Sequence, residues 1–377
     1  MLRFVYVLIL LTSINLSNAQ VNDHVYELNS IDNLITEDVK KLIDENLESK
    51  RVVFLGEAEH HIGSDFLAKS QFVRYLVLEK GYTEIAFESD FFGLYFDHNK
   101  RNLFPFWSRS VQCQALFEFL DEHNVTIWGF DNQLYSIFSQ QNFVNKLRIY
   151  LDQNNIDYAH DFMSLAKRAL GNGSSLNKGR ANNEIESLIA SVDNLLENVT
   201  IRNDKTWYQI LESFKSHILQ NNSKKNTGIA IRDTQMAKNL NFLVRDLDEK
   251  KIIVWLANAH MAKTENDFMK GQTMGSQFIK QNPGISYHIA FSSIQMPYRK
   301  ERWLEKCHND DENLLHFLPT LEKNFFLDSK NIINTNPEYS AKEYEGMFGL
   351  NRAKTNWFKH FDALVFISKG EKVKYLN

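Results

Sequence analysis

The sequence predicts an α/β chain with a largely parallel sheet, flanking helices and an inserted helical sub-domain. Short apolar runs recur at residues 52–55, 84–87, 125–128, 252–255, 287–291 and 364–367. Most are near-continuous rather than alternating, which is the pattern of parallel strands covered on both faces. Helical periodicity lies between them, and alternation of strand and helix implies crossover connections in one sheet. From about residue 141 to 247 the periodicity is helical throughout, with no strand-like run.

Each element has a local reason. Val52, Val53, Phe54 and Leu55 form an unbroken apolar strand, as do Ile252, Ile253, Val254 and Trp255. Residues 65–80 place Phe66, Val73, Leu76 and Val77 on one helical face, and Gly81 stops the helix. In the central stretch Ile185, Leu188, Ile189, Val192, Leu195 and Leu196 repeat at helical spacing. Trp207, Ile210, Leu211, Phe214 and Ile218 repeat in the same way after the loop Gly171-Asn172-Gly173-Ser174-Ser175. This stretch reads either as a lid over a pocket or as ordinary packing helices.

The chain has 377 residues, 43% of them hydrophobic, enough for one large core. The net charge of -4 is spread over well-mixed residues, so nucleic acid is not an expected partner. The first residues read as a cleavable signal peptide, residues 1–19. Arg3 precedes an apolar run from Phe4 to Leu11, and Ser17-Asn18-Ala19 offers a cleavage site before Gln20. An uncleaved anchor is the alternative. No other stretch is long and apolar enough to span a membrane, so residues 20–377 are expected to be secreted or periplasmic. Cys113 and Cys307 are the two cysteines. Export permits a disulfide between them, and two buried thiols are an equal alternative.

Chemistry collects where the apolar runs end. Leu55 is followed by Gly56-Glu57-Ala58-Glu59-His60-His61, Phe87 by Glu88, Trp128 by Gly129-Phe130-Asp131, and Trp255 by Leu256-Ala257-Asn258-Ala259-His260. Ligands of open α/β sheets bind at the carboxyl ends of the strands. Four polar strand ends converging there mark a site more strongly than any one of them. Taken singly, each acid is more often a helix-entry or solvated charge, and each histidine structural or exposed. Histidine is the natural base near neutral pH, and a neighbouring carboxylate orients its ring. His60 and His260 are the candidate histidines, Glu57 and Glu88 the candidate carboxylates. Asp131, Asn258, Arg232 and His61 are candidate substrate contacts. The chain has no G-x-S-x-G motif, so water activated directly is the expected nucleophile. No cofactor or metal is required, although Glu57, His60, Glu88 and His260 are permissible ligands for zinc or another divalent ion.

At these residues the chain resembles the erythromycin esterase family. Gly56-Glu57-Ala58-Glu59-His60 is similar to its G-E-x-x-H strand end, and Ile85-Ala86-Phe87-Glu88 to its second acidic strand. Arg232-Asp233 with Met236-Ala237-Lys238-Asn239-Leu240 resembles its helix motif. Trp255 to His260 resembles its W-A-H-N-x-H segment, and Met274-Gly275-Ser276 its M-G-S. The resemblance implies hydrolysis of a macrolide lactone or another ester, and through it antibiotic inactivation. It makes His60 the base, Glu57 and Glu88 its orienting carboxylates, and His260 the second histidine. Ala257 stands where the family carries a further histidine, Glu59 where a small residue is common, and His61 where glycine is usual. Lys69 is the counterpart of a basic residue in the first helix. The alternatives are a metal-dependent hydrolase of related fold and a binding protein that has lost turnover.

Overall fold

The computed structural model describes residues 23–170, 176, 182–265, 272–349 and 354–376. The expected leader and the loop 171–175 lie outside the described residues. In chain order the strands are β1 (Val25–Leu28), β2 (Val52–Glu57), β3 (Glu84–Asp90), β4 (Thr126–Asp131), β5 (Ile252–Ala257), β6 (Ser286–Gln295), β7 (Asn324–Asp328) and the two-residue β8 (Tyr344–Glu345) and β9 (Lys354–Thr355), then β10 (Ala363–Lys369). All but β8 and β9 join one sheet in the order β1-β7-β10-β6-β2-β5-β3-β4. The six strands from β10 to β4 are mutually parallel, and β7 and β1 extend the β10 edge in antiparallel pairing. The expected α/β class, with its largely parallel sheet and flanking helices, is the observed one. The antiparallel strands β1 and β7 are additional to it.

Burial explains the apolar runs. Every residue of β2 and β3 is buried, because helices cover both faces of the sheet. Val52 and Phe54 face one core layer, while Val53 and Leu55 face the other. Helix α1 (Gly63–Lys80) covers the second face and ends at Gly81, whose φ of 70° continues the chain out of the helix. Between β4 and β5 the main elements among the described residues are helices: α2 (Ile137–Gln153), α3 (Phe162–Ala169), α4 (Asn182–Glu197), α5 (Lys205–Asn221) and α6 (Lys225–Asp246). Their apolar faces, with Phe143, Leu188 and Phe214, share one continuous core with the first face of the sheet. Cys113 and Cys307 are buried in opposite core layers and do not meet. Among the described residues no helix is long and apolar enough to cross a membrane.

After β10 the chain runs back across the carboxyl edge of the sheet as a strap. Gly63 N donates to Glu371 O at 2.8 Å and Val373 N donates to His61 O at 3.0 Å. On the other side Val111 N donates to Lys374 O at 2.8 Å and Leu376 N to Arg109 O at 2.9 Å. The strap thus ties the turn after β2 to the segment around residues 104–112.

Candidate active site

Four adjacent strands, β2, β5, β3 and β4, bring Glu57, Ala257, Glu88 and Asp131 to one edge of the sheet. Glu57 and Ala257 are register partners. Glu57 and Glu88 therefore stand two inter-strand steps apart, roughly 10 Å between backbones. The register of β3 with β4 shifts between Phe87 and Asp90, and such a bulge re-aims side chains near a site. Gly129 permits it, since a Cβ there would lie 2.5 Å from the carbonyl oxygens of Ser89 and Asp90.

The first cluster centres on Glu57, which is fully buried. Its Oε1 stands 3.0 Å from His60 Nδ1, and its Oε2 accepts from Lys69 Nζ. Lys69 comes up from α1, and its ammonium also lies 3.9 Å from the centroid of the Trp255 ring. Burial pushes Lys69 down to about 8 against the pull of Glu57. The His60 ring stacks on Phe106 at 4.7 Å and meets the edge of Trp107 at 5.6 Å. With 32% of its side chain exposed, His60 is the most open of these groups. Behind the turn, Asp65 accepts from Ala58 N at 3.3 Å and from Ser293 Oγ at 2.6 Å. Burial raises its carboxyl to about 6.

The second cluster centres on Arg232 of α6. Its Nη2 donates to Glu88 Oε1 at 2.7 Å and to Asp131 Oδ2 at 2.6 Å, and its Nε donates to Asp131 Oδ1 at 3.1 Å. Glu88 Oε2 accepts from Ala257 N at 2.9 Å. Burial alone would raise the Glu88 carboxyl, but His260, Arg232 and His60 together hold it down at about 2. His260 Nδ1 lies 2.7 Å from Asp233 Oδ1, and the other oxygen of Asp233 accepts from Met274 N. Met274 opens α7 (Met274–Gln281), so a helix N-terminus braces the carboxylate that orients His260.

His260 has two partners at Nε2. The 3.1 Å approach of Arg232 Nη1 requires a lone pair there, so it belongs to the neutral ring. Protonation turns Nε2 into a donor, and Glu88 Oε1 stands 3.4 Å away to accept. Burial opposes that charge, but Asp233 and Glu88 outweigh it and raise the pKa of His260. The ring can therefore exchange one partner for the other as it gains or loses a proton.

The structure brings six of the sequence-derived residues into these clusters: Glu57, His60, Glu88, Asp131, Arg232 and His260. The two clusters adjoin through Ala257, which is the register partner of Glu57 and donates its N–H to Glu88. Asn258 is fully buried and points back under the sheet edge, where its Nδ2 donates to Phe291 O at 2.9 Å. His61 is exposed, with its ring edge on Phe106 at 6.0 Å. Asp233 is a site residue that the strand-end pattern does not point to. Its signal in the sequence is the Arg-Asp pair inside an otherwise buried helix face. Among the described residues no group of three or more His, Cys, Asp or Glu side chains is arranged to hold a metal ion. The carboxylates are instead spent on protein cations and N–H groups.

Residues 77–369 match the erythromycin esterase family; Glu57 and His60 precede that stretch. A protein of solved structure from Bacillus cereus superposes with a TM-score of 0.75 at 18% identity, covering 96% of this chain and 99% of that one. A succinoglycan biosynthesis protein gives 0.73 at 15%, covering 95% and 98%. A variant of the erythromycin esterase EreC in its open conformation gives 0.68 at 15%, covering 94% and 99%. No curated protein matches the sequence significantly. The match over most of the chain, on a shared fold, means that this protein belongs to the erythromycin esterase family.

Proposed function

We propose that this protein is an exported hydrolase that opens a carboxylic ester or lactone with water activated by His60. One observation carries the reading: His60 is held between a buried carboxylate and solvent. With Nδ1–H donated to Glu57, the Nε2 lone pair is available to take a proton from water. Lys69 fixes Glu57 from behind, and Phe106 and Trp107 fix the plane of the ring. The water oxygen attacks the carbonyl carbon as its proton moves to His60. The alcohol oxygen then leaves and takes up a proton, for which protonated His260 is the proposed donor as its Nε2–H turns from Glu88 to the leaving oxygen; the proton taken by His60 returns to solvent. No covalent enzyme intermediate is needed.

Ala257 narrows the substrate. An alanine there neither moves a proton nor holds a water, and its backbone N–H is committed to Glu88. If an imidazole at this position assists lactone opening, its absence costs about a hundredfold or more in rate. Simple aryl esters, whose leaving groups need little protonation, are therefore expected to be cleaved faster than erythromycin. The test follows addition of one water to erythromycin by mass spectrometry beside aryl-ester turnover. Efficient macrolide opening with poor aryl-ester turnover would overturn the substrate assignment, and no hydrolysis of any ester would overturn the function. Export rests on the residues before Gln20, and a mass for the natively expressed chain starting at Gln20 is the expected result.

A further inference from the structure

A cavity of about 560 Å³ opens beside the turn that carries His60, a size that suits a small organic group. Its lining includes Glu59, Tyr298, Arg299, Lys300, Trp303 and Gly349. Gly349 joins it to the catalytic turn. Its φ is +79°, and a Cβ there would overlap the carbonyl oxygen of Ala58, two residues before His60. The wall of the cavity is thus continuous with the backbone that positions the base.

The charge on this wall runs against the rest of the molecule. The whole chain carries a net -4. Here Arg299 and Lys300 line the cavity, and Lys372 lies over the Tyr298 ring, 5.7 Å from its centroid. Among the described residues, none of these three cations forms a salt bridge, although ion pairs are common elsewhere on the surface. Arg299 is braced by donating to the carbonyl oxygens of Ser293 and Ile294, which places its charge without neutralising it. Glu59 is the one carboxylate on the lining, and it precedes His60 in the chain. Tyr298 and Trp303 add two aromatic walls. Unpaired cations with aromatic flanks suit a carboxylate attached to an apolar or aromatic body.

We propose that this cavity is a substrate subsite for a carboxylate-bearing group, so that the preferred ester is an anion. This assignment rests on the hydrolase reading, but its test does not depend on turnover. The probes are phenylacetate and its neutral counterpart phenylacetamide, titrated calorimetrically into the full chain. Phenylacetate is expected to bind at least about fivefold more tightly, the scale of one or two partly exposed ion pairs. Lys300→Glu combined with Lys372→Glu should abolish that preference, and Trp303→Leu should weaken both probes. His60→Ala should leave the preference intact. Where esters are turned over, an aryl ester ending in a carboxylate should show a lower KM than its methyl-terminated analogue, and the double variant should remove only that difference. Equal binding of the two probes, or a preference that survives the double substitution, overturns the proposal. Absence of ester hydrolysis alongside selective phenylacetate binding overturns the catalytic reading instead.

Discussion

His60→Ala should lower ester turnover by about 10²–10⁴-fold, the usual worth of a positioned acid–base group. The fold should persist, because beyond Glu57 the ring only packs on Phe106 and Trp107 at the rim of the site. His60 is partly exposed, and Glu57 keeps Lys69 as its partner when the imidazole is gone. Melting temperature and circular dichroism should therefore stay close to those of the parent while kcat collapses. Glu88→Gln should also lose turnover, but with a loss of stability, since Glu88 is buried and ion-paired to Arg232. That difference separates the two roles: one group meets water, the other holds the frame around it. A His60→Ala enzyme within a few-fold of the parent would show that another residue is the base.

Arg232→Met should be the most destabilising single change at the site. The guanidinium satisfies Glu88 and Asp131, both buried, and approaches His260. Removing one partner of a buried ion pair strands the other charges, at about 3–5 kcal/mol. For a chain of this size that is roughly 4–6 °C in melting temperature. The pH dependence has a definite sign. Glu88 titrates near 2 in the folded protein, below its ordinary 4.5. Its contribution to stability is therefore present above about pH 4.5 and is lost as pH falls through 2. In Arg232→Met that carboxyl loses a principal cation, so the contribution shrinks and acid unfolding begins at higher pH. Asp131→Asn should restore part of the loss in the double variant, because it removes one stranded charge. A change below about 1 kcal/mol, measured by reversible denaturation, would mean that solvent already screens the cluster.

The parallel strands were legible because burial on both faces demands unbroken apolar runs, and Val52–Leu55 and Ile252–Trp255 are too apolar for a loop and too continuous for a surface helix. The two antiparallel strands were not. β7 offers only Phe325, Phe326 and Leu327 between polar residues, and β1 is four residues with a glutamate. Such short runs fit a loop or a helix as well as a strand. The strand-end residues Glu57, Glu88 and Asp131 were legible for a geometric reason: parallel strands present their carboxyl ends on one edge. Lys69 and Asp233 approach that edge from helices, and helical periodicity does not say which buried residue reaches back to a strand end. Asn258 shows the reverse limit. It follows β5 directly, yet its amide turns beneath the edge toward Phe291, a direction set by tertiary packing rather than by position in the chain.

The strap formed by residues 370–376 gives the protein a weak point that its core lacks. It is held mainly by backbone hydrogen bonds, its side chains are half-buried or exposed, and its contacts, such as Glu371 N to Ser64 Oγ, join residues 307 apart in sequence. Segments of that kind open locally at a free energy well below that of global unfolding. Contacts so distant in sequence also carry a large closure cost and tend to form late. What the strap holds is the turn of His60 and the Phe106–Trp107 segment against which the ring is packed. On heating, competence should therefore fade before structure does, and on refolding it should return last. Inactivation and melting would then trace two separate curves, with the gap between them measuring how firmly the strap stays docked.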